Sequence, residues 1–165
     1  GAARDCMRHL KETELDSVVK QAAGEKPFLG ICMGMQVLMA HSEENDGIAC
    51  MNLFDGEVRA FAGEALKAQM QSLKIPHMGW NQVAQKQDHP MWSGIDDKSR
   101  FYFVHSYYVD PEDKNMIAGV TQYGIEFTSV IARDNVFAVQ FHPEKSAADG
   151  LQLLENFTRW NGGLN

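Results

Sequence analysis

The sequence has 165 residues, of which 44% are hydrophobic and 22% charged, a balance typical of a folded globular domain rather than a disordered chain. Its formal net charge of −7 argues against general binding to nucleic acids or anionic membranes. Its apolar runs are shorter than the roughly 18 residues that span a bilayer, and its first residues lack the apolar core of a secretory signal. We therefore expect a single domain over residues 1–165.

The three cysteines bear on the cellular setting. Cys6, Cys32 and Cys50 form neither an even set nor a close pair, which disfavours a disulfide framework and a zinc site. This pattern predicts a reducing, cytoplasmic setting and no bound metal. We interpret Cys6 and Cys50 as structural residues.

The first quarter of the sequence predicts helix, strand and helix. Apolar residues recur at helical spacing over residues 2–24, with a break expected at 13–16. The continuous apolar run from Phe28 to Ile31 predicts a strand in the middle of a parallel sheet covered on both faces, and GMQVLMAHS, residues 34–42, is expected to form a helix. Because a helix alone precedes this strand, we expect the first strands of the α/β domain to be missing from the sequence.

The remainder changes to short strands and closes with a helix. Six segments rich in aromatic and β-branched residues predict strands, namely 56–61, 73–83, 100–109, 116–124, 125–132 and 136–141. Asp134-Asn135 lies between the last two and is typical of a tight hairpin turn. Helical spacing predicts a final amphipathic helix, with its apolar side formed by Leu151, Leu154, Phe157 and Trp160.

The segment GICMG, residues 30–34, fits the pattern of a nucleophile elbow. In such a sharp strand-to-helix turn the nucleophile's backbone is strained, and side chains at Gly30 and Gly34 would collide. The turn would place the Cys32 sulfur at a helix N-terminus, where the helix dipole favours a thiolate. The Met33 amide beside it could stabilise a developing oxyanion. The alternative is a buried cysteine in a glycine-flanked turn.

A cysteine nucleophile needs a base and usually a third group to orient that base. Among the six histidines, His142 is distinctive because it ends a β-rich run and precedes Pro143, which disfavours helix at that point. In extended geometry Glu144 points to the same side as His142 and could fix the tautomer of its imidazole. The alternative is a plain surface turn. His9 and His41 are expected to be solvated on helical surfaces.

Both motifs resemble a known family. GICMGMQ and VQFHPEKS resemble the two signatures of the class I (triad) glutamine amidotransferases. KIPHMGWNQV, RFYFVHSYYV and GLQLLENFTRWN are similar to the HisH family, the glutaminase subunits of imidazole glycerol phosphate synthase. The resemblance runs through essentially the whole chain, and it implies a doubly wound α/β mixed sheet with flanking helices and antiparallel additions.

The resemblance also implies a reaction and a partner. Glutamine would be hydrolysed to glutamate and ammonia without a cofactor. The ammonia would pass through a (β/α)8-barrel cyclase subunit, HisF, to a phosphoribulosyl intermediate of histidine biosynthesis, giving imidazole glycerol phosphate and an aminoimidazole carboxamide ribotide.

Residue roles follow from the same resemblance. Cys32 resembles the nucleophile, His142 the general base and acid, and Glu144 its orienting partner. The substrate would be held by Met33, Gln36, Glu44, His105, Ser106 and Tyr107. The partner would be contacted by His77, Met78, Trp80, Asn81 and Lys145.

Several of these roles have alternatives. Gln36 could lie on a plain helix surface, Glu44 is hard to single out from Glu43, and Trp80 could belong to the core. Gly1 resembles the last glycine of the family's Pro-Gly-Val-Gly oxyanion loop, so most of that loop is expected to lie outside the sequence.

Three other functions stay open at this point. The chain could be a glutaminase that serves another acceptor, such as an anthranilate or guanylate synthase. It could be a catalytically inactive relative that only binds and stabilises a partner. It could also be a cysteine hydrolase of the same general fold.

Overall fold

The structure, a computed structural model, describes residues 2–164 of the chain, apart from the side chains of Ala2 and Ala65. The helices are α1 (Ala2–Glu12), α2 (Leu15–Glu25), α3 (Met33–Gln36), α4 (Lys67–Met70) and α5 (Ala147–Arg159). The strands are β1 (Phe28–Ile31), β2 (Met39–Ser42), β3 (Ile48–Ala49), β4 (Phe54–Ala60), β5 (His77–Gln82), β6 (Ala84–Gln85), β7 (Arg100–His105), β8 (Tyr107–Pro111), β9 (Ile117–Tyr123), β10 (Ile125–Arg133) and β11 (Val136–Val139). The interpretation of Gly1 falls outside the described residues.

The main sheet is mixed, as predicted. Its strand order is β1-β11-β10-β8-β4-β2-β3, with β9 beside β10 and β6 beside β9. The β1–β11 and β2–β4 pairs are parallel, whereas β11–β10, β10–β8 and β8–β4 are antiparallel. Strands β5 and β7 form a separate antiparallel ribbon. The predicted turn at Asp134-Asn135 joins β10 to β11.

Strand β1 has the predicted bounds, Phe28 to Ile31. It lies at the end of the strand order among the described strands and pairs there with β11. Gly30 is buried, while Phe28, Leu29 and Ile31 are half-buried. The parallel pairing brings the carboxyl ends of β1 and β11 to the same edge of the sheet, and this edge positions the candidate site.

The helix predicted over residues 34–42 is wrong after Gln36. Met39–Ser42 form strand β2, which pairs in parallel with β4 and antiparallel with β3. A short apolar run does not distinguish a buried strand from a buried helix, and here the pairing with β4 decides. His41 therefore lies on a strand rather than on the expected helix, and its Nδ1 is 2.8 Å from Glu57 Oε2.

The final helix forms as predicted, and Phe157 and Trp160 of its predicted apolar side pack in the core, whereas Leu151 does not. Leu153 and Asn156 are buried along α5, whereas Leu151 is 63% exposed. The Asn156 amide donates hydrogen bonds to the backbone oxygens of Met91 and Ser93. The buried side of the helix therefore also includes Asn156, whose amide satisfies these two carbonyls.

At the other end of the chain, the predicted break falls between α1 and α2, where Glu14 has a positive φ of 58°. Cys6 and Cys50 pack against a small apolar cluster of Met7, Val37 and Met51, which agrees with structural roles. No helix within residues 2–164 is long and apolar enough to cross a bilayer.

A glycine in α5 is expected to be essential for the fold. An ideal Cβ at Gly150 would lie 2.0 Å from the Pro143 backbone oxygen, so Gly150→Ala should lower the free energy of unfolding by about 3 kcal/mol. At Gly24 in α2, a Cβ would meet no described atom within 4 Å, and Gly24→Ala should raise stability by about 0.5 kcal/mol. Urea unfolding of both variants checks this, and equal midpoints would contradict it.

Candidate active site

Cys32 adopts the strained backbone that a nucleophile elbow requires. It follows β1 directly and precedes α3, with φ 52° and ψ −106°. Its backbone N–H donates to the Val139 oxygen at 2.8 Å, which ties it to the end of β11. An ideal Cβ at Gly30 would lie 2.9 Å from the Gly34 oxygen and 3.0 Å from the Ala138 Cβ. The expected collision is therefore confirmed at Gly30.

The matching requirement at Gly34 is not confirmed. A Cβ there would meet no described atom within 4 Å, because the close approach involves the backbone of Gly34 and not the position of its missing side chain. The turn thus depends on the absence of a side chain before the cysteine rather than after it.

The Cys32 thiol is partly buried, and burial raises its pKa above the ordinary value. A hydrogen bond from the Met33 backbone N–H and another from Gln140 lower this pKa, as does the charge of Lys145, while the charge of Glu144 raises it. The expectation that the helix N-terminus makes Cys32 a thiolate is therefore wrong for the chain without ligand or partner, because burial favours the thiol. Helix α3 has only four residues, too few aligned peptides to outweigh desolvation.

His142 and Glu144 form the predicted pair. The Nδ1 of His142 lies 2.7 Å from Glu144 Oε1, in a turn that begins three residues after β11 ends. With Nδ1–H donating to the carboxylate, the Nε2 lone pair of the neutral imidazole is left to accept a proton. This contact favours the predicted pair over the alternative of a plain surface turn.

The sheet explains how residues far apart in sequence become neighbours. Cys32 follows β1 and His142 follows β11, and these strands are parallel neighbours. The hydrogen bond from the Cys32 N–H to Val139 brings the elbow next to the end of β11. The turn also lies near enough to the elbow for the charges of Glu144 and Lys145 to affect the pKa of the Cys32 thiol.

Gln36 lies beneath the site rather than on a helix surface. It is 4% exposed, and its Nε2 donates to the Tyr107 backbone oxygen at 3.2 Å and to Gln140 Oε1 at 3.0 Å. The surface alternative is therefore wrong. In this position the Gln36 side chain lies under the site and supports Gln140 and the Tyr107 backbone.

Gln140 was missed by sequence reasoning. It is fully buried, and its Nε2 lies 3.7 Å from the Cys32 sulfur. One signal was available: Gln140 is the single polar residue of the run VFAVQF, and it shares a side with His142 in extended geometry.

Two of the other predicted substrate contacts have hydrogen-bond partners within the chain. One oxygen of Glu44 accepts a hydrogen bond from the Ala3 N–H at the start of α1, at 3.0 Å, and its charge acts on the Tyr107 hydroxyl. The backbone oxygen of Ser106 accepts from the Phe61 N–H at 3.1 Å.

A chain of hydrogen bonds runs inward from β5 to Tyr107. The Tyr107 oxygen can only accept, so His105 Nδ1 donates to it at 2.8 Å. The Nε2 of His105 then accepts from His77 Nδ1 at 2.8 Å, and the Nε2 of His77 accepts from the Asn81 amide at 3.2 Å. Burial lowers the pKa of His105 to about 3 and that of His77 to about 4, so both rings are neutral.

His77 was predicted to contact a partner, and the structure corrects this. It is 3% exposed, stacked between Phe103 and Tyr123, so its ring is not available to another protein. Asn81 is half-buried, and its amide is taken by His77 and by the Gln122 backbone oxygen.

The exposed side of β5, which we call the ribbon face, is formed by Met78 and Trp80. Their exposed fractions are 61% and 47%, so the core alternative for Trp80 is wrong. The Trp80 ring packs edge-on against Tyr102 at 6.2 Å between ring centroids. The backbone of Tyr102 accepts from the His142 N–H and donates to Ser146 Oγ, both at 2.9 Å. The ribbon face therefore borders the turn that carries His142, Glu144 and exposed Lys145.

The buried histidines make stability depend on pH. Burial lowers the pKa of His89 to about 4 as well. The unfolded chain, with ordinary values near 6.5, binds protons more readily, so stability is present above about pH 6.5 and is lost as pH falls toward 4. We expect a loss of a few kcal/mol in unfolding free energy between pH 7 and pH 5, measured by urea unfolding. The exposed control His9→Gln should follow the same curve, and a flat curve would contradict the assignment.

Within residues 2–164, no group of three or more His, Cys, Asp or Glu side chains is arranged to hold a metal ion.

Comparison with known proteins first defines the class. The family model described as glutamine amidotransferase class-I matches residues 10–160, and the chain belongs to this family. The elbow around Cys32 and the His142–Glu144 pair both lie within the matched region.

Individual proteins with high sequence identity to the chain indicate one kind of subunit within this family. Proteins named imidazole glycerol phosphate synthase subunit HisH from Hydrogenovibrio crunogenus, Nitrosococcus oceani and Pseudomonas putida are 56%, 54% and 51% identical to the chain. Each match covers 98% of this chain, and 74%, 75% and 76% of the respective relative. The chain is therefore similar to HisH subunits over nearly all of its own length.

Solved structures support the fold at low identity. A crystal structure of a glutamine amidotransferase superposes with a TM-score of 0.61 at 14% identity, covering 90% of this chain and 71% of that one. A glutamine amidotransferase from Thermotoga maritima gives 0.58 at 17% identity, covering 95% and 58%. At such identities the likeness concerns the fold alone, and it confirms the α/β mixed sheet.

Proposed function

We propose that the chain hydrolyses glutamine to glutamate and ammonia through a thioester on Cys32 and feeds the ammonia to a cyclase subunit. The observation that carries this is the strained Cys32 turn, hydrogen-bonded to the end of the strand from which His142 and Glu144 follow. Family membership and the similarity to HisH subunits support glutamine as the substrate.

The geometry supports the following roles. The Cys32 pKa is raised by burial, so the thiol keeps its proton until a base takes it. His142 Nε2 accepts that proton while Glu144 holds Nδ1–H and stabilises the imidazolium. The sulfur attacks the carboxamide carbon of glutamine, and the Met33 N–H, already directed at this sulfur, donates to the developing oxyanion.

The second half of the cycle uses the same groups. His142 gives its proton to the departing ammonia, leaving a γ-glutamyl thioester on Cys32. A water molecule then loses a proton to His142 and attacks the thioester, which releases glutamate and restores the thiol. Glu44 and the backbone of residues 105–107 are proposed to hold the amino-acid end of glutamine, since the Glu44 charge reaches Tyr107.

We assign the partner to a (β/α)8-barrel cyclase, HisF, docked on the ribbon face and Lys145. The names of the similar proteins describe a synthase subunit, and the ribbon face lies one strand from the catalytic turn. Docking here would cover the site and keep ammonia from bulk water. The product would be imidazole glycerol phosphate, made in the cytoplasm.

Alkylation by a glutamine analogue that carries an electrophile at the side-chain carbonyl tests the proposal. Cys32 should react much faster with this analogue than with iodoacetamide, when each rate is normalised to that of Cys50 in the same sample. Peptide fragmentation locates the adducts. A Cys32 with no preference for the analogue would contradict the proposed function and favour a non-catalytic binding protein.

Glutamate release identifies the acceptor. Added HisF with its ligand should raise the rate, whereas a guanylate or anthranilate synthase partner should not. Activation by one of those partners instead would assign the chain to another acceptor.

A further inference from the structure

The side chain of Gln140 is fully buried at the first position after β11. Long polar side chains are rarely buried completely, and when they are, their polar atoms need partners. The Gln140 backbone N–H already bonds to the Ser129 oxygen at 2.9 Å, so the side-chain amide plays no part in the sheet. Its contacts are with Gln36 and Cys32.

The direction of the Gln140 amide is fixed by its neighbours. The Tyr107 oxygen can only accept, so Gln36 presents its NH2 group there. The second hydrogen of that group donates to Gln140 Oε1. The NH2 group of Gln140 is consequently turned toward the Cys32 sulfur, at 3.7 Å. The opposite orientation would face two NH2 groups toward each other.

The Tyr107 oxygen is itself anchored. It also accepts from His105 Nδ1 at 2.8 Å, and that ring is held by His77. A polar group whose partners are all buried and bonded keeps one orientation. The amide beside Cys32 is thus preorganised, and it approaches the same sulfur as the Met33 N–H.

We propose that Gln140 is a positioning residue that holds the Cys32 sulfur in place and stabilises its thiolate through Nε2–H, with Gln36 and the Tyr107 carbonyl fixing the direction of that amide. The inference rests on the proposed function, in which Cys32 is the nucleophile. Two donors at the sulfur favour the charged form and oppose the burial that disfavours it. Removing one donor leaves burial less opposed.

The test measures how iodoacetamide alkylation of Cys32 depends on pH. Gln140→Met removes the donor at similar volume, and the double variant Gln36→Met with Gln140→Met removes it without leaving the Gln36 amide facing an apolar side chain. We expect the alkylation midpoint of Cys32 to rise by about one pH unit in either variant, so that alkylation at pH 7 is about tenfold slower. Cys50 in the same sample, located by peptide fragmentation, should keep its parent profile.

Thr121→Val is the matched control. It removes another buried hydrogen bond of the sheet, from Thr121 Oγ1 to Ser129 Oγ at 2.9 Å, without touching Cys32. The control should be destabilised but should keep the parent midpoint at Cys32. If Gln140→Met does not fold, the double variant Gln36→Met with Gln140→Met decides the question, because replacing both partners leaves no unpaired amide between them.

The outcomes separate this inference from the proposed function, because alkylation needs neither glutamine nor a partner. An unchanged Cys32 midpoint in a folded Gln140 variant overturns the role of Gln140, whatever the glutaminase assay gives. A raised midpoint in the Gln140 variants, beside a parent chain that releases no glutamate with HisF present, supports Gln140 and contradicts the proposed function instead.

Discussion

Cys32→Ala is expected to abolish glutamate release while the cyclase complex still makes product from free ammonia. Cys32 is the proposed nucleophile, and no other group at the site can form the thioester. The substituted side chain is partly buried but small, so the fold should survive. Removing a nucleophile that acts with its base as a unit costs about 10⁶-fold in rate. The measurement is glutamate release beside ammonia-dependent synthesis, with HisF present.

Two companion variants sharpen this result. Cys50→Ala changes a cysteine packed in the small apolar cluster and should keep the parent rate. His142→Asn should lose most glutamate release, because the base is gone, yet keep ammonia-dependent synthesis. If Cys32→Ala also loses ammonia-dependent synthesis while still binding HisF, Cys32 is not dedicated to ammonia release.

Trp80→Ala is expected to weaken association with the cyclase by about 2 kcal/mol, roughly 30-fold in Kd. Trp80 is a large aromatic side chain, 47% exposed on the ribbon face, and this kind of residue is a frequent interface anchor. Lys145→Ala, at the turn beside His142, should reduce activation of glutamate release. Calorimetric titration with HisF measures association, and a glutamate assay in the same samples measures activation.

Val18→Ala is the control for this surface. Val18 is 57% exposed on α2, whose C-terminal end contacts Asn135 at the opposite end of β1 and β11. Its removal should change neither quantity. Parent affinity and parent activation in both Trp80→Ala and Lys145→Ala would place the interface elsewhere.

Local patterns predicted the chemical groups of the site. The elbow at Cys32 includes the close approach of Gly30 and Gly34, two positions away on either side, and the His142–Glu144 contact joins residues only two apart. Contacts of such short range can be predicted from the local sequence alone. The strand Phe28–Ile31 was likewise predicted with its observed bounds, because its apolar run is bounded by Lys26-Pro27 on one side and the elbow on the other.

Longer-range pairing was not available from the sequence. From the local sequence, residues 39–42 cannot be distinguished from a continuation of the preceding helix. Their pairing with β4 decides their conformation. Gln140 and His77 have their roles through partners on other elements, which no local spacing reveals. The pKa of Cys32 was misjudged for the same reason, since burial depends on the whole fold.

The hydrogen bonds that run from Asn81 through His77 to His105 can be followed by nuclear magnetic resonance. Each ring carries its hydrogen on Nδ1 and accepts at Nε2, so both imidazoles have the same fixed tautomer. Their Nδ1 hydrogens are buried and bonded, and they should exchange slowly with solvent and resonate apart from the backbone amides. Asn81, which bonds to His77, directly follows Trp80 of the ribbon face. The Nδ1 hydrogens of His77 and His105 should therefore report a docked partner through a change in their chemical shifts, without any added label.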